Sequence, residues 1–162
     1  MPITSRRTHA VVGMVAAIVA LMAVAGPVGA ATPQSVTIVS HVTFNPVGPN
    51  YGDFAATGTA VDSGLICANG TFVDTGLRFA GFQSDRGIVQ LQVVKEFTCN
   101  GTGTFTVKLQ IQANFDTGIE SFTWAVLGGT GAYESLRGGG RGSTVPNAPL
   151  GNINTYEGFL LH

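Results

Sequence analysis

The chain has 162 residues, of which nine are acidic, eight are basic and only 10% are charged in total. A nearly neutral chain without clustered Lys and Arg lacks the surface that binds nucleic acid, which argues against that class of partner. The 44% of hydrophobic residues, beside 23 glycines, is too apolar for a disordered chain and indicates one domain with a core.

The first thirty residues have the features of an export signal. Arg6 and Arg7 give a positive start, residues 10–25 form an apolar run, and Val28-Gly29-Ala30 supplies small residues for cleavage. A membrane anchor is the alternative, but a run of about 16 residues is shorter than the roughly 20 that span a bilayer. We therefore expect a secretory signal peptide at 1–30 and one domain at 31–162. The processed protein would be secreted or in the cell envelope, with no stable membrane span.

The chain contains two cysteines, Cys67 and Cys99. In an exported protein they can form one disulfide, which an oxidising compartment preserves. A redox pair is the alternative, but there is no Cys-x-x-Cys spacing and no histidine nearby. The sequence therefore predicts a structural Cys67–Cys99 disulfide.

Alternating apolar and polar residues predict strands along most of the domain. The predicted strands are Val36–Phe44, Asp53–Val61, Thr71–Phe82, Val89–Cys99, Thr104–Phe115, Phe122–Val126 and Ile153–Leu161. Turn sequences separate them, such as residues 116–118, and no segment after residue 31 has apolar residues at helical spacing for three turns. Roughly eight strands with one apolar face each indicate an all-β fold, either a closed antiparallel β-barrel, which we favour, or a β-sandwich.

A glycine-rich motif follows the strand that contains Trp124. The strand leads into Gly128-Gly129-Thr130-Gly131, then Tyr133 and Arg137, in a pattern of Gly-Gly-Thr-Gly, an aromatic residue and Arg-Gly. This pattern resembles the signature of the dirigent and allene oxide cyclase superfamily, in particular its small secreted bacterial members. The segment after it, Arg137–Gly142, is predicted to be a flexible surface loop.

The resemblance implies an eight-stranded antiparallel barrel with a mostly apolar interior, open at one end. Family members bind hydrophobic small molecules; plant dirigents steer radical coupling, and the cyclases close a fatty-acid epoxide into a ring. They often form dimers or trimers, which implies a homo-oligomer. Carried over by motif, Gly128, Gly129, Thr130 and Gly131 are architectural and Arg137 is a pocket charge. No motif assigns catalytic residues, which stay unknown.

Polar residues on the inward side of the strands are the candidates for a site in the barrel. Lys95 shares its parity with Val93 and Phe97, and Glu157 shares its parity with Ile153 and Phe159, while Arg78 lies among Leu77, Phe79 and Phe82. The alternative is that a bulge shifts the register and points these charges to solvent. The candidate pocket aromatics are Phe105, Phe122, Trp124 and Tyr133.

Metal and cofactor chemistry has little support in the sequence. Beyond residue 30 the histidines are His41 and His162 alone, and no His, Cys and Asp residues cluster at ligand spacing, so we expect neither a metal nor a cofactor. The sequence favours an exported barrel that binds a hydrophobic small molecule without evident catalytic machinery. One alternative is a cell-envelope structural or interaction protein with a packed barrel. The other is an isomerase or cyclase that uses an inward acid such as Glu157.

Overall fold

The computed structural model describes residues 31–114, 117 and 119–162, with the backbone alone at Ile119. The predicted signal peptide at 1–30 lies outside the described residues. So do Phe115, at the end of a predicted strand, and Asp116 and Gly118 of the predicted turn.

Eight antiparallel strands form a closed barrel in chain order. They are β1 Gln34–Thr43, β2 Tyr51–Thr57, β3 Asn69–Gln83, β4 Ile88–Cys99, β5 Gly103–Asn114, β6 Ile119–Gly129, β7 Arg137–Pro146 and β8 Gly151–Leu161. Each strand pairs with the next, and β8 pairs with β1 over ten residues, from Gln34↔Leu160 to Thr43↔Gly151. The predicted all-β, eight-stranded closed barrel is confirmed, and the sandwich alternative is wrong.

Alternation along the strands gives the barrel one apolar interior. On β5, Phe105, Val107 and Leu109 are buried while Thr106 and Lys108 point outward, because successive side chains of a strand lie on opposite faces. The same parity on the other strands places most large apolar side chains inside. These residues form one continuous core.

One end of the barrel is covered by the segment that follows β2. Here the predicted strand Asp53–Val61 needs correction, because β2 ends at Thr57 and a single helical turn, α1 (Thr59–Asp62), begins. The change occurs at Gly58, whose φ of 108° is open to glycine but strained for other residues. Ala60 of α1 is fully buried, and α1 packs against β1, β2 and β8.

The glycine-rich segment predicted as a flexible loop is instead strand β7. Its glycines leave room for aromatic rings of the interior: a Cβ added at Gly142 would lie 2.2 Å from the Phe122 ring. On β8, a Cβ at Gly158 would lie 2.8 Å from the Trp124 ring. The missing side chains hide the alternation of β7 in the sequence, and they are also what lets the rings pack there.

The Gly128–Gly131 motif connects β6 to the closed end of the barrel. Thr130 accepts a hydrogen bond from the Thr104 backbone N–H at 3.0 Å through its Oγ1, and Gly131 begins a 3-10 turn, Gly131–Tyr133. A Cβ at Gly129 would lie 2.4 Å from the Thr104 carbonyl oxygen. In this structure, the motif joins β6 closely to β5 and places Tyr133 in the core.

The other end of the barrel is open because β3 is longer than its neighbour β2. The β2–β3 ladder ends at Tyr51↔Val73, and β3 continues beyond it, paired with β4 alone. In this extension Leu77 is 72% exposed and Phe79 is 61% exposed, although both oppose inward residues of β4. The extension therefore forms an apolar rim at the mouth of the barrel.

Cys67 and Cys99 form the predicted disulfide, with their Cα atoms 5.9 Å apart. Cys99 is the last residue of β4, and Cys67 lies in the segment that covers the closed end. The disulfide therefore fixes this segment to the barrel wall across a sequence separation of 32 residues.

Replacing both cysteines in a Cys67→Ser, Cys99→Ser variant should lower the free energy of unfolding by about 3 to 4 kcal/mol, because a loop of this length loses that much chain entropy when it is closed. Urea unfolding followed by tryptophan fluorescence measures the change. Wild-type protein reduced before unfolding serves as the control and should lose a similar amount. An unfolding midpoint equal to that of the oxidised protein would contradict a stabilising role.

Candidate functional site

A cavity of about 200 Å³ lies at the open end of the barrel, away from α1. Its apolar lining is formed by Val42, Phe44, Leu77, Leu91, Val93 and Ile111. Its polar lining is formed by Asn50, Asp74, Lys95, Glu120, Thr144, Asn152 and Asn154. All eight strands or their adjoining loops contribute, so closure of the barrel is what assembles this site.

The centre of the polar lining is a buried ion pair between Lys95 and Asp74. The two residues lie directly opposite each other in the β3–β4 ladder, and Lys95 Nζ donates to Asp74 Oδ1 at 2.5 Å. The Lys95 side chain is 3% exposed and that of Asp74 is 12% exposed. Asn50 donates from Nδ2 to the other carboxylate oxygen at 3.1 Å. The carboxylate is therefore held from two sides.

Burial dominates the electrostatics of Lys95. Removal from water lowers the pKa of its ammonium below the usual range, and the Asp74 carboxylate opposes that shift only in part. The ring of Phe72 lies below the amine, with its centroid 4.5 Å from Nζ, a cation–π contact that favours the charged form. The burial of Lys95 also shows that its side chain lies on the inner face of β4, the face that its parity with Val93 and Phe97 predicts.

Side chains of β7, β8 and β1 form a polar floor beneath the cavity. Thr144 donates through its hydroxyl to Asn154 Oδ1 at 3.0 Å, and Ser40 lies opposite Asn154 in the β1–β8 ladder. Among the described residues, Ser40 Oγ, Asn152 Oδ1 and the Tyr156 hydroxyl have no hydrogen-bond partner. Buried polar atoms are normally paired, so an occupant with hydrogen-bonding groups would satisfy part of this floor.

The Tyr156 phenol lies at the boundary between the floor and the aromatic core. Complete burial raises the pKa of its hydroxyl far above the usual range. The neighbouring side chains of Asn154 and Ser40 oppose the shift slightly, although neither forms a full hydrogen bond with the phenol. Tyr156 therefore stays neutral across the physiological pH range and is a potential hydrogen-bond donor.

The predicted pocket aromatics fill the interior and do not line the cavity. Phe105 stacks on Phe97 with ring centroids 5.0 Å apart, and Tyr133 meets Phe105 edge-on. Phe122 and Trp124 pack against the ring of Tyr156 at 4.9 and 6.1 Å. These rings occupy the closed part of the barrel, so the space for a ligand is confined to the mouth.

Three of the four predicted pocket charges point to solvent. Arg78 is exposed because the β3 ladder shifts between Asp74 and Gly76, which turns Leu77 inward and Arg78 outward. Arg137 is exposed and donates to the carbonyl of Leu136 at 2.7 Å. Neither residue lines the cavity, which corrects their predicted positions.

Glu157 is also on the outer face, and here the predicted parity is wrong. On β8 the buried residues are Asn154, Tyr156 and Leu160, so even-numbered residues point inward. The apolar residues that suggested the opposite parity lie outside: Phe159 is 56% exposed. The prediction was wrong because it assigned apolar residues such as Phe159 to the interior, whereas on β8 they lie on the outer face.

Reasoning from the sequence missed most of the polar residues at the cavity. For Asp74, the only local signal in the sequence is its position two residues after Phe72, on the same side of the predicted strand. Asn152 and Asn154 share the parity of Tyr156, so taking the buried tyrosine as the reference on β8 would have found them.

A larger depression, about 520 Å³, lies on the barrel wall. Its polar lining consists of outward side chains of β4 to β7, including Gln90, Gln92, Gln110, Gln112 and Arg141. Gln110 and Gln112 are exposed, and none of the buried charged or polar side chains lies in it. We therefore place the candidate site in the smaller cavity at the mouth.

In residues 31–114, 117 and 119–162, no group of three or more His, Cys, Asp or Glu is arranged to hold a metal ion. Within the same residues, no helix is both long and apolar enough to cross a bilayer. The side chains that line the cavity carry one amine, two carboxylates, three amides and one hydroxyl.

Breaking the buried ion pair should destabilise the fold strongly. We expect Asp74→Asn to lower the free energy of unfolding by roughly 3 kcal/mol or more, because it leaves the Lys95 charge buried without a partner. The double variant Asp74→Asn, Lys95→Met should recover much of the loss, since no charge stays buried. Chemical denaturation compares the variants.

The matched control is Asp53→Asn, which removes a carboxylate that contacts His41 at 2.9 Å on the exposed surface. It should cost less than about 1 kcal/mol. Equal losses for the two single variants would show that the burial of the Lys95–Asp74 pair has no energetic consequence.

The buried phenol predicts a stability change in alkaline solution. Because the folded-state pKa of Tyr156 is raised, the folded protein keeps its proton above pH 10 while the unfolded chain loses it. Wild-type stability should therefore fall by about 1.4 kcal/mol between pH 9 and pH 11 relative to Tyr156→Phe, which lacks the group. Denaturation of both proteins at each pH measures the difference, and parallel pH curves would refute it.

Comparison with known proteins gives no assignment. No family model matches the chain, and no curated protein is significantly similar to it.

Proposed function

We propose that this protein is an exported β-barrel that binds a small, mostly apolar molecule carrying one hydrogen-bonding group. The observation that carries the proposal is the 200 Å³ cavity at the mouth, where apolar walls lead down to a polar floor. Small-molecule sites commonly combine a mainly apolar lining with a few convergent polar groups. The volume is below the roughly 300 Å³ typical of drug-sized ligands, which favours a smaller molecule.

The structure of the lining suggests how such a ligand lies. Leu77, Leu91 and Ile111 would contact its apolar part near the mouth, while its polar group would reach Asn152 and Asn154. Asn152 Oδ1 has no partner among the described residues and accepts hydrogen bonds. A hydroxyl or amine on the ligand is a suitable donor for it, and the Nδ2 groups of Asn152 and Asn154 can donate to a ligand oxygen.

Export is supported by two features. The signal-peptide pattern of residues 1–30 is typical of secreted proteins. The Cys67–Cys99 disulfide is of the kind that persists in oxidising compartments. Both features favour a location outside the cytoplasm, in the cell envelope or beyond it.

The relationship to the dirigent and allene oxide cyclase superfamily is also a proposal. It is supported by the Gly128–Gly131 motif and by a closed eight-stranded barrel with one open end, the architecture that the resemblance implied. That the barrel forms a homo-oligomer stays a prediction of the same resemblance.

The two other functions have less support. A cell-envelope structural or interaction protein is favoured by the packed aromatic half of the barrel, in which Phe97, Phe105 and Tyr156 are fully buried. An isomerase or cyclase loses its predicted acid, because Glu157 is on the outer face. The binding experiment separates the first of these from the proposal, since a barrel that acts through its outer surface needs no ligand.

Binding can be measured with 1-hexanol as the probe, by titration followed in amide NMR spectra. We expect saturable shifts confined to residues around the cavity. Ile111→Trp should weaken binding by about tenfold or more, equivalent to about 1.4 kcal/mol, because the larger side chain fills the cavity.

Ile153→Trp is the matched control, since Ile153 is also half-buried but lies on the outer face of β8 and does not line the cavity. It should bind the probe like the wild type. Absence of saturable binding, or equal weakening in both variants, would overturn the proposal and favour a protein that acts through its surface.

A further inference from the structure

The chain contains two lysines, and the barrel places them in opposite environments. Lys95 is buried on the inner face of β4 and lines the mouth cavity. Lys108 is half-buried on the outer face of β5, opposite Val94 and Ala125. Lys108 therefore serves as an internal control for the reactivity of the buried Lys95 amine.

The surroundings of Lys95 are those of a reactive amine. Val93 and Leu91, on the same face of β4, provide apolar walls, and the Asp74 carboxylate is 2.5 Å away as a proton acceptor. Burial lowers the pKa of the amine, so the neutral, nucleophilic form is more accessible than for a lysine in water. Lys108 lies outside the cavity and has no ion-pair partner among the described residues.

We propose that Lys95 forms a reversible imine with the carbonyl group of an apolar aldehyde or ketone held in the mouth cavity. This inference rests on the proposed function, whose ligand class it narrows from a molecule with any polar group to a carbonyl compound. Lysine amines in apolar pockets commonly react with carbonyl compounds in this way.

The reaction balances with the groups present. The Lys95 ammonium passes a proton to Asp74, and the free amine attacks the carbonyl carbon, forming the C–N bond. A proton moves from nitrogen to the carbonyl oxygen to give the carbinolamine. Asp74 then returns its proton to that oxygen, the C–O bond breaks, and water leaves. The product is an iminium whose nitrogen keeps one proton and the positive charge.

The ion pair explains why this site suits the product. One positive charge faces the Asp74 carboxylate before and after the reaction, and Asp74 is neutral while it holds the proton, so its charge is not left buried without a partner. The charge also stays near the ring of Phe72, which favours a cation in either form. The apolar walls would hold the carbon chain, and the burial of Lys95, which is 3% exposed, limits the access of water to the imine nitrogen.

The test is reductive trapping with hexanal and cyanoborohydride at neutral pH, followed by proteolysis and mass mapping of the labelled lysine. We expect Lys95 to be labelled faster than Lys108 by about tenfold or more. Peptide mapping separates either lysine from the chain's terminal amine. Lys108→Arg should be labelled like the wild type.

Lys95→Arg should lose the label, because a guanidinium keeps the positive charge facing Asp74 but cannot form the imine. This variant retains the ion pair and so tests the amine without breaking the fold. Its 1-hexanol binding, followed by NMR, reports whether the cavity is intact.

The outcomes separate the two proposals. If 1-hexanol binds the wild type but hexanal labels Lys108 as fast as Lys95, the imine inference is overturned and the binding function stands. If neither probe occupies the cavity, both fall. Fast, Lys95-specific labelling that excess 1-hexanol suppresses supports both.

Discussion

Closure of the sheet on itself is the constraint on which the rest of this structure depends. Once β8 pairs with β1, every strand has one inner face, and the interior has a fixed volume that the inward residues must share. Eight aromatic rings, on Phe54, Phe72, Phe97, Phe105, Phe122, Trp124, Tyr133 and Tyr156, take up most of it. They can do so in part because Gly142 and Gly158 leave room for the rings of Phe122 and Trp124. What remains is the small space at the mouth, where the extension of β3 beyond β2 keeps the barrel open.

The buried Lys95–Asp74 pair is the feature that a purely structural account of this interior leaves unexplained. Apolar residues of similar volume would serve stability as well or better, because both charges lose their hydration on burial. Three parts of the fold nevertheless contribute to the pair: β3 supplies Asp74, β4 supplies Lys95, and the loop before β2 supplies Asn50, which binds the carboxylate. That arrangement lies at the wall of the cavity, which is the position that the proposed binding and imine chemistry require.

The sequence predicts the architecture better than the site, for physical reasons. Alternation on β4 and β5 is strong because their inner faces are apolar and their outer faces polar, so parity predicts the strands, the all-β class and an inward position for Lys95. Because the chain has two cysteines, one disulfide pairing is possible, and the sequence predicts it.

Parity fails to predict the inner face where the outer face is also apolar, as with Phe159 on β8. It fails as well where glycines have no side chain that would show the alternation, as on β7. The bulge after Asp74 changes which residues of β3 point inward, from even-numbered to odd-numbered ones, and no local sequence pattern predicts it. The partner of Lys95 depends on strand register, which brings together residues 21 positions apart in the chain.

The division of the barrel into a packed half and an open half also limits what the cavity can do. A ligand cannot penetrate beyond Tyr156, since the rings of Phe122 and Trp124 close the space behind it. The inner end of a bound molecule would therefore lie near the Lys95 amine and the amides of Asn152 and Asn154, and its outer end would lie near the rim formed by Leu77 and Phe79. Because that rim is exposed and apolar, a longer chain would extend along it toward solvent without a loss of contact. Selectivity for a ligand would then depend on the inner end of the cavity, where Asn154 and Lys95 hold fixed positions. A small polar group could pair with the buried polar atoms there. A purely apolar end would leave those atoms without hydrogen-bond partners and would bind less well.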